Sequence, residues 1–258
     1  MPPKFPASGP KSKPSSKAGW MGTPATTGAH AAAGGKLKPT KLPSTPFVPR
    51  SQSQADAMAI LDGHDLTFLI GPAGSAKTCM AAAQALIDMK SGRAEKIIIT
   101  RATVEAGESI GFLPGPVREK MELYVRPILD ALELFLPKHV IETMLDQGLI
   151  EMIPITYLRG KSIANAVIII DEFQNATPKQ AKLCLTRAGE HTRILVTCDP
   201  DQVDLADNIP SAVEDLWMFE DTQGIAFVEL TAADVTRSAL CRKVLMCYDK
   251  GRSDTRAA

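Results

Sequence analysis

The sequence predicts an α/β fold, in which a mostly parallel sheet is covered by helices on both faces. Three short apolar runs indicate buried strands, at residues 66–70, 96–100 and 166–170. Helical patterns separate these runs, and strands that alternate with helices are typical of a parallel sheet. A glycine-rich turn directly follows the first run.

The remaining elements follow from periodicity and capping residues. Four helices are predicted, at residues 52–61, 79–90, 117–135 and 138–147. A fifth helix begins after Thr177 and Pro178, which supply an N-cap and a first-turn proline, and it reaches residue 188. The apolar run 194–197 predicts one more strand.

The glycine-rich turn is a near-complete phosphate-binding loop. Its residues are Gly71, Pro72, Ala73, Gly74, Ser75, Ala76, Lys77 and Thr78. Glycines let backbone N–H groups turn toward phosphate oxygens, and the N-terminus of the following helix adds its positive dipole. Lys77 is expected to reach the β and γ phosphates, and Thr78 to bind Mg²⁺. The loop therefore indicates nucleoside triphosphate chemistry.

Ala76 departs from this motif, which has glycine immediately before the lysine. Two interpretations of its Cβ are open. It crowds the phosphates, or it is harmless because Ala76 has a negative φ. By itself the loop leaves two interpretations open, nucleotide binding and a glycine turn without a ligand.

Two carboxylates end the third predicted strand. Asp171 is expected to belong to the Mg²⁺ shell, through water, and Glu172 to orient or deprotonate the water that attacks the γ-phosphate. The alternative is a strand that ends in a solvated acidic turn. The glycine loop, about ninety residues upstream, favours the catalytic interpretation.

A third polar motif follows the run 194–197. Asp199 and Gln202 are placed to sense the γ-phosphate and to relay its loss. The alternative is an ordinary Asp-Pro turn. Along the chain, a glycine loop is followed by Asp-Glu and then by Asp with Gln, each at the end of a strand. This order of motifs indicates a RecA-like P-loop ATPase.

From about residue 53 to 248 the sequence resembles the PhoH family of P-loop ATPases, whose core is similar to the first motor domain of superfamily-one helicases. Seven strings carry the resemblance: IGPAGSAKT at 70–78, RATVEAGESIGFLPG at 101–115, YVRP at 124–127, YLRG at 157–160, DEFQNATP at 171–178, LTR at 185–187 and DPDQVDL at 199–205. Several of these strings are specific to the family rather than to P-loop proteins in general.

The resemblance implies roles for the motif residues. It makes Lys77 and Thr78 ligands of phosphate and Mg²⁺, and Asp171 with Glu172 the Mg²⁺-binding and water-activating pair. It makes Gln202 the γ-phosphate sensor.

The resemblance also extends to two residues outside these motifs. Gln54 lies where the family places an adenine-reading glutamine, with Ser53 in place of the usual asparagine. Arg237 matches an arginine that resembles an arginine finger, acting on its own nucleotide or on a neighbour's. Phe173 and Cys198 replace smaller family residues, and we expect these two changes to alter packing more than chemistry.

The charge distribution divides the chain into a basic tail, residues 1–50, and an ATPase domain, residues 51–258. The tail has eight basic residues, no acidic residue and ten of the nineteen prolines, and its composition predicts disorder. The whole chain has 29 basic and 29 acidic residues, so the domain carries 21 basic against 29 acidic, a net charge of −8. The tail is expected either to gather a polyanion such as RNA or DNA, or to act as a solubilising or targeting extension without a partner.

The composition predicts a soluble cytoplasmic protein. The tail lacks the apolar segment of a secretory signal, and no run is long enough to cross a membrane. Five cysteines form no CxxC pair, which fits reduced thiols, and four histidines show no ligand spacing. The expected cofactors are ATP and Mg²⁺, without a structural metal.

Two classes of function are compatible with the sequence. The first is an ATPase that works on RNA or single-stranded DNA, with Arg101, Arg126 and Arg159 as candidate contacts; the alternative for these arginines is salt bridging within the domain. With one motor domain, such a protein is expected to translocate only as a homo-oligomer, and we hypothesise a hexameric ring. The second class is a nucleotide-binding switch or scaffold, weakened in turnover by Ala76.

Overall fold

Six parallel strands form one sheet at the centre of the computed structural model, which describes residues 37–39, 42, 46–102 and 117–235. The strands are β1 Leu66–Ile70, β2 Lys96–Arg101, β3 Ile150–Met152, β4 Ala166–Asp171, β5 Arg193–Cys198 and β6 Ile225–Glu229. Their order across the sheet is β3-β2-β4-β5-β1-β6. The central position of β5 places the ends of β1, β5 and β4 side by side.

Five α-helices accompany the sheet in the described residues: α1 Gln52–Gly63, α2 Lys77–Ser91, α3 Val117–Glu133, α4 Lys138–Asp146 and α5 Pro178–Leu185. Short 3₁₀ helices occur at Ile155–Leu158, Phe173–Asn175, Ala212–Phe219 and Ala232–Asp234. No helix among the described residues is long and apolar enough to cross a membrane.

The sheet is buried on both faces. Along β2, Ile97 and Ile99 contribute to the core under α1 to α4, whereas Ile98 contributes to the core under α5. Side chains alternate between the two faces of a strand, so most strands supply both cores. β3 is the exception, because Ile150 and Met152 both lie in the core under α1 to α4. All six residues of β4 are buried, as expected for a central parallel strand. The structure confirms the predicted fold class, a RecA-like P-loop NTPase with helices on both faces of a parallel sheet.

Helix caps explain several element boundaries. Thr177 and Gln180 form a capping box at the start of α5, and Pro178 occupies the first turn. The prediction that this helix reaches residue 188 is wrong, because α5 ends at Leu185 and Ala188 forms an isolated parallel bridge with Ile163. The sequence patterns also missed β3 and β6.

Most of the predicted tail, residues 1–50, lies outside the described residues. Among the residues described there, Leu42 is 3% exposed and belongs to the core under α1 to α4. Phe47 packs against the same core, and the backbone N–H of Leu37 donates to Gln147 Oε1 at 2.8 Å.

Candidate active site

The glycine loop connects β1 to α2 and depends on glycine at its first position. Gly71 has a φ of 151°, and a Cβ built there would lie 2.5 Å from the carbonyl oxygen of Leu230. Gly74 has a φ of 86°, in the left-handed region that favours glycine. The close approach of the loop to the end of β6 therefore excludes a side chain at residue 71.

Ala76 adopts a left-handed conformation, with φ 72° and ψ 19°, at the N-cap of α2. The harmless alternative for this residue, a negative φ, is therefore wrong. An L-residue in this conformation brings its Cβ close to the following carbonyl and costs on the order of 1–2 kcal/mol. The loop keeps the backbone shape that glycine would give, and Ala76 is strained in it.

Lys77 is folded back onto the loop. Its Nζ donates to the carbonyl oxygens of Gly71 and Pro72, the second at 3.0 Å. Burial is the main cause that lowers the pKa of Lys77, and the nearby carboxylates of Asp199 and Glu172 oppose that shift. The ammonium group is thus held by neutral acceptors that an anion in the cavity could replace.

Asp171, at the end of β4, is 1% exposed and accepts hydrogen bonds on one oxygen. Its Oδ1 accepts from Thr197 Oγ1 at 2.6 Å and from Thr78 Oγ1 at 3.3 Å. Its buried Oδ2 lies 3.4 Å from Arg101 Nη1, yet accepts no hydrogen bond within the described residues. The Oδ2 atom of Asp171, beside the loop threonine, is therefore a buried acceptor without a hydrogen-bond donor among the described residues.

These groups fit a Mg²⁺ ion. Mg²⁺ prefers hard oxygen ligands and is commonly held by one or two carboxylates, substrate phosphates and water. The Asp171 carboxylate and the Thr78 hydroxyl are such ligands, and the open acceptor is the Oδ2 atom. The described residues contain no group of three or more His, Cys, Asp or Glu side chains arranged for a metal. A metal at this position would therefore depend on phosphate and water for the rest of its shell.

Glu172 is held in an unusual backbone conformation beside Asp171. Its φ of 55° is left-handed, and non-glycine residues in this region are found preferentially at functional sites. Its carboxylate accepts a hydrogen bond from Gln174 and lies 3.5 Å from Arg101 Nη2. Burial is the main cause that raises the pKa of Glu172, and the charge of Asp171 adds to the shift.

Gln174 connects the end of β4 to the end of β5, and sequence reasoning did not find it. This residue is fully buried, its Oε1 accepts from the backbone N–H of Asp199 at 3.0 Å, and its Nε2 donates to Glu172. Asp199 Oδ2 in turn accepts from Gln202 Nε2 at 2.7 Å. The only sequence signal for Gln174 was its place in the string at 171–178.

One cavity of about 500 Å³ collects these motifs. Its wall includes residues from all three polar motifs: Lys77, Thr78, Glu172, Gln174, Asp199 and Gln202. Residues of α3, among them Pro127 and Ala131, also line the cavity. The ends of β1, β4 and β5 thus meet at one site, as expected at the carboxyl edge of a parallel sheet.

The family model described as PhoH-like protein matches residues 47–249. The chain belongs to this family. It is 41% identical over 202 residues to a PhoH-like protein of Bacillus subtilis, covering 78% of the chain and 63% of that relative. A PhoH-like protein of Synechocystis is 38% identical over 78% of the chain and 61% of its own length. Protein PhoH of Escherichia coli K12 is 36% identical over 80% of the chain and 59% of its own length.

The PhoH-like chain spans about three fifths of the length of these curated relatives. Among solved structures, the crystal structure of Pif1 helicase from Candida albicans matches 72% of the chain and 41% of its own chain, with 15% identity and a TM-score of 0.35.

Gln54, a predicted site residue of this PhoH-like chain, does not line the cavity. Gln54 is 1% exposed, and its Nε2 donates to the carbonyl oxygens of Ser75 and Asp234 at 3.4 and 3.3 Å. Its Oε1 accepts from the backbone N–H of Arg50 at 2.9 Å, so its whole amide is engaged beneath the loop. Arg237 lies outside the described residues.

The three arginines predicted to contact nucleic acid differ in their surroundings. Arg101 faces the carboxylates of Asp171 and Glu172 inside the site. Arg126 pairs with acidic side chains of α3, including Asp130 at 2.7 Å. For these two arginines the structure shows the salt bridging that was the alternative interpretation. Arg159 is exposed and forms no ion pair with a described residue.

Phe173 and Cys198 both belong to the core under α5. Phe173 is 1% exposed and makes an edge-to-face contact with Phe68, their ring centroids 5.8 Å apart. Cys198 is buried, and burial raises the pKa of its thiol to about 12. Phe173 does not line the cavity, whereas Cys198 does.

A second cavity, of about 660 Å³, lies at the opposite edge of the sheet. Asp88 is its buried carboxylate, paired with Arg93 at 2.8 Å and with Arg193 at 3.0 Å. Burial raises the pKa of Asp88, and the two arginines oppose the shift. No predicted site residue lines this cavity, and its buried carboxylate is already paired with two arginines, so we assign it a structural role.

Proposed function

We propose that the chain is a Mg²⁺-dependent ATPase whose hydrolysis is coupled to RNA or single-stranded DNA. The observation that carries the proposal is the meeting of Lys77, Thr78, Glu172 and Gln202 around one cavity at the ends of three adjacent strands. Asp171 joins this group by accepting a hydrogen bond from Thr78. Loop amides, a cation and carboxylates are the groups that phosphoryl transfer requires, because its catalysis depends on positioning and charge neutralisation.

In this proposal the loop side chains bind the phosphates. Lys77 exchanges the carbonyl oxygens of Gly71 and Pro72 for phosphate oxygens. Thr78 and Asp171 hold the metal, which supplies charge neutralisation on the phosphates when it is bound. Gln54 supports the loop from below through Ser75. Reading the adenine, the role that the family resemblance implies, would require its amide to exchange these partners for the base.

Glu172 is the proposed general base. A raised pKa makes its carboxylate a stronger acceptor for the proton of an attacking water. Gln174 fixes one carboxylate oxygen and Arg101 lies beside the other, so both act as positioning residues. Gln202 is proposed to sense the γ-phosphate, since its amide already contacts Asp199, which Gln174 links to Glu172.

The coupling to nucleic acid rests on the family and on the basic tail. The first fifty residues carry eight positive charges and no negative one, and such segments attract polyanions. We further propose a cytoplasmic homo-oligomer, a hexameric ring, in which Arg237 completes a neighbour's site. Light scattering of the ATP-bound protein checks this assembly, and a fully active monomer at micromolar concentration would contradict it.

The decisive experiment is Mg²⁺-dependent ATP hydrolysis by the purified chain, with and without single-stranded RNA. Lys77→Ala is expected to weaken nucleotide binding and abolish turnover, and Glu172→Gln to abolish turnover while ATP still binds. Gln223→Glu, on an exposed turn, is the matched control and is expected to behave as the wild type. Wild-type turnover that survives in Glu172→Gln would refute the proposed base.

A second function, a nucleotide-binding switch or scaffold with weak turnover, is favoured by one observation. Ala76 holds a left-handed conformation that places a methyl group at the N-terminus of α2, beside Lys77. A methyl group there can crowd the phosphates. Tight ATP binding without turnover under any condition, with or without RNA, would support the switch and exclude the ATPase.

A further inference from the structure

The face of the sheet that carries α5 also carries a groove of about 660 Å³ lined by four cations. We call it the basic groove, and its cations are Arg159, Lys179, Lys182 and Arg187. The rest of its wall is formed by hydroxyl, amide and apolar side chains, and no acidic residue lines it. This is unexpected in a domain whose sequence carries a net charge of −8.

The cations of the basic groove lack the carboxylate partners found elsewhere. In other regions, Arg93, Lys96 and Arg126 each form ion pairs at 2.5–2.7 Å. None of the four groove cations forms an ion pair with a described residue. Arg187 donates instead to the carbonyl oxygens of Leu183 and Lys161, at 3.0 and 3.1 Å, which fixes its guanidinium without neutralising it.

We propose that the basic groove binds single-stranded nucleic acid. Unpaired cations along one groove match a chain of phosphates, whose charges they can neutralise. Tyr157, in the 3₁₀ helix Ile155–Leu158 between groove residues Thr156 and Arg159, is 59% exposed. An exposed aromatic ring beside cations is the usual platform for an unpaired base, and it favours a nucleic acid over an acidic protein segment.

The groove is connected to the site of the proposed function, on which this inference rests. α5 carries Lys179 and Lys182, and its N-cap Thr177 follows the 3₁₀ helix Phe173–Asn175 after one residue. That 3₁₀ helix contains Gln174, the hydrogen-bond donor to Glu172. One short 3₁₀ helix therefore separates α5 from the proposed base, and this connection provides a route by which bound nucleic acid stimulates hydrolysis.

Fluorescence anisotropy tests whether the basic groove binds nucleic acid. It measures binding of a labelled 20-nucleotide single-stranded oligonucleotide to the full chain over a range of salt concentrations. The double variant Lys179→Glu and Lys182→Glu is expected to bind at least tenfold more weakly. The slope of log K against log salt is expected to fall by about 1.4, because each lost phosphate contact on a single strand contributes about 0.7. Lys138→Glu, an exposed charge reversal on α4 across the sheet, is the control and is expected to change affinity less than twofold.

A second readout locates the contact independently of the basic tail, which is the same in every variant. An oligonucleotide that contains 5-bromouridine is expected to crosslink to Tyr157 under ultraviolet light, and Tyr157→Ala to weaken binding at least threefold. Equal affinity of wild type and double variant, or crosslinks confined to residues 1–50, would overturn the inference. An acidic protein partner would be indicated instead if polyglutamate displaced the labelled oligonucleotide as effectively as unlabelled oligonucleotide does, and if Tyr157→Ala had no effect. That result would also overturn the inference.

The two proposals fail separately. Oligonucleotide binding at the groove without Mg²⁺-dependent turnover would refute the ATPase and leave the groove in place. The opposite outcome would be ATP hydrolysis that needs Glu172, together with an oligonucleotide affinity that is the same in the wild type and the double variant. It would refute the groove alone.

Discussion

The side-chain oxygen of Gln174 accepts a hydrogen bond from the backbone N–H of Asp199 at 3.0 Å. Because the other end of the same amide donates to Glu172, one buried side chain joins the end of β4 to the end of β5. An amide is needed here, since no other uncharged side chain of that length both donates and accepts.

Gln174→Glu is predicted to reduce the rate of hydrolysis about 10–100-fold. The hydrogen bond from Gln174 lowers the pKa of Glu172, so a carboxylate in its place raises that pKa. A base must be ionised, and activity is lost as the pH falls through its pKa; the acid limb of the pH–rate profile is therefore expected to move to higher pH. Gln223→Glu serves as the control. A lower rate with an unmoved acid limb would show a structural role only.

Arg101→Gln is predicted to lower the free energy of unfolding by about 1–3 kcal/mol at pH 8, because it leaves the buried carboxylate of Asp171 and the half-buried one of Glu172 without their cation. The pKa of Glu172 is already raised and would rise further. Ionised Glu172 then costs stability above that pKa, and the cost disappears as the pH falls toward its ordinary value. Urea denaturation at pH 5 and pH 8 is expected to show the smaller difference at pH 5.

The control for this prediction is Arg126→Gln. Arg126 pairs with half-exposed acidic side chains of α3, and exposed ion pairs contribute about 0–1 kcal/mol. A loss at Arg126 as large as that at Arg101 would contradict the special role of the buried pair.

Ala76→Gly is predicted to raise the free energy of unfolding by about 0.5–1 kcal/mol, because glycine adopts the left-handed conformation without strain. Ala73→Gly, in the same loop at a position without positive φ, is the matched control and is expected to lower stability by about 0.5 kcal/mol. Thermal unfolding of the three proteins measures both effects. Equal losses in the two variants would show that Ala76 is not strained.

Gly71→Ala is predicted to destabilise the chain by more than about 2 kcal/mol, since the new Cβ would lie 2.5 Å from the Leu230 carbonyl oxygen. Gly63→Ala provides the contrast. Its Cβ would meet nothing within 4 Å at the end of α1, and alanine favours the helix, so a gain of about 0.5–1 kcal/mol is expected. A tolerated Gly71→Ala would show that β6 can move away from the loop.

The sequence predicted the elements that have strong local signals. The four apolar runs correspond to β1, β2, β4 and β5, and the loop, Asp-Glu and Asp-Gln motifs stand at strand ends that meet. In contrast, β3 has only three residues and is too short to give a clear run, whereas β6 contains the apolar run 225–228, which was not interpreted as a strand. Their pairing with β2 and β1 comes from tertiary contacts that a local pattern does not contain.

The finer features of the site depend on contacts between distant residues. The positive φ of Ala76 is imposed by the loop, since alanine itself prefers a negative value. The link from Gln174 to Asp199 joins residues 25 apart, and the ion pair from Arg193 to Asp88 joins residues 105 apart. Composition and spacing carry no information about such pairings.

The order of the strands also sets when the site can form. β1 pairs only with β5 and β6 among the described strands, and both are made more than one hundred residues after it. During synthesis on the ribosome, β1 and the glycine loop therefore leave the exit tunnel before β5 and β6 have been made. Until then the apolar strand β1 has no strand to pair with. A chain truncated before β5 therefore lacks both neighbours of β1, and with them the ends of β5 and β6 that adjoin the glycine loop.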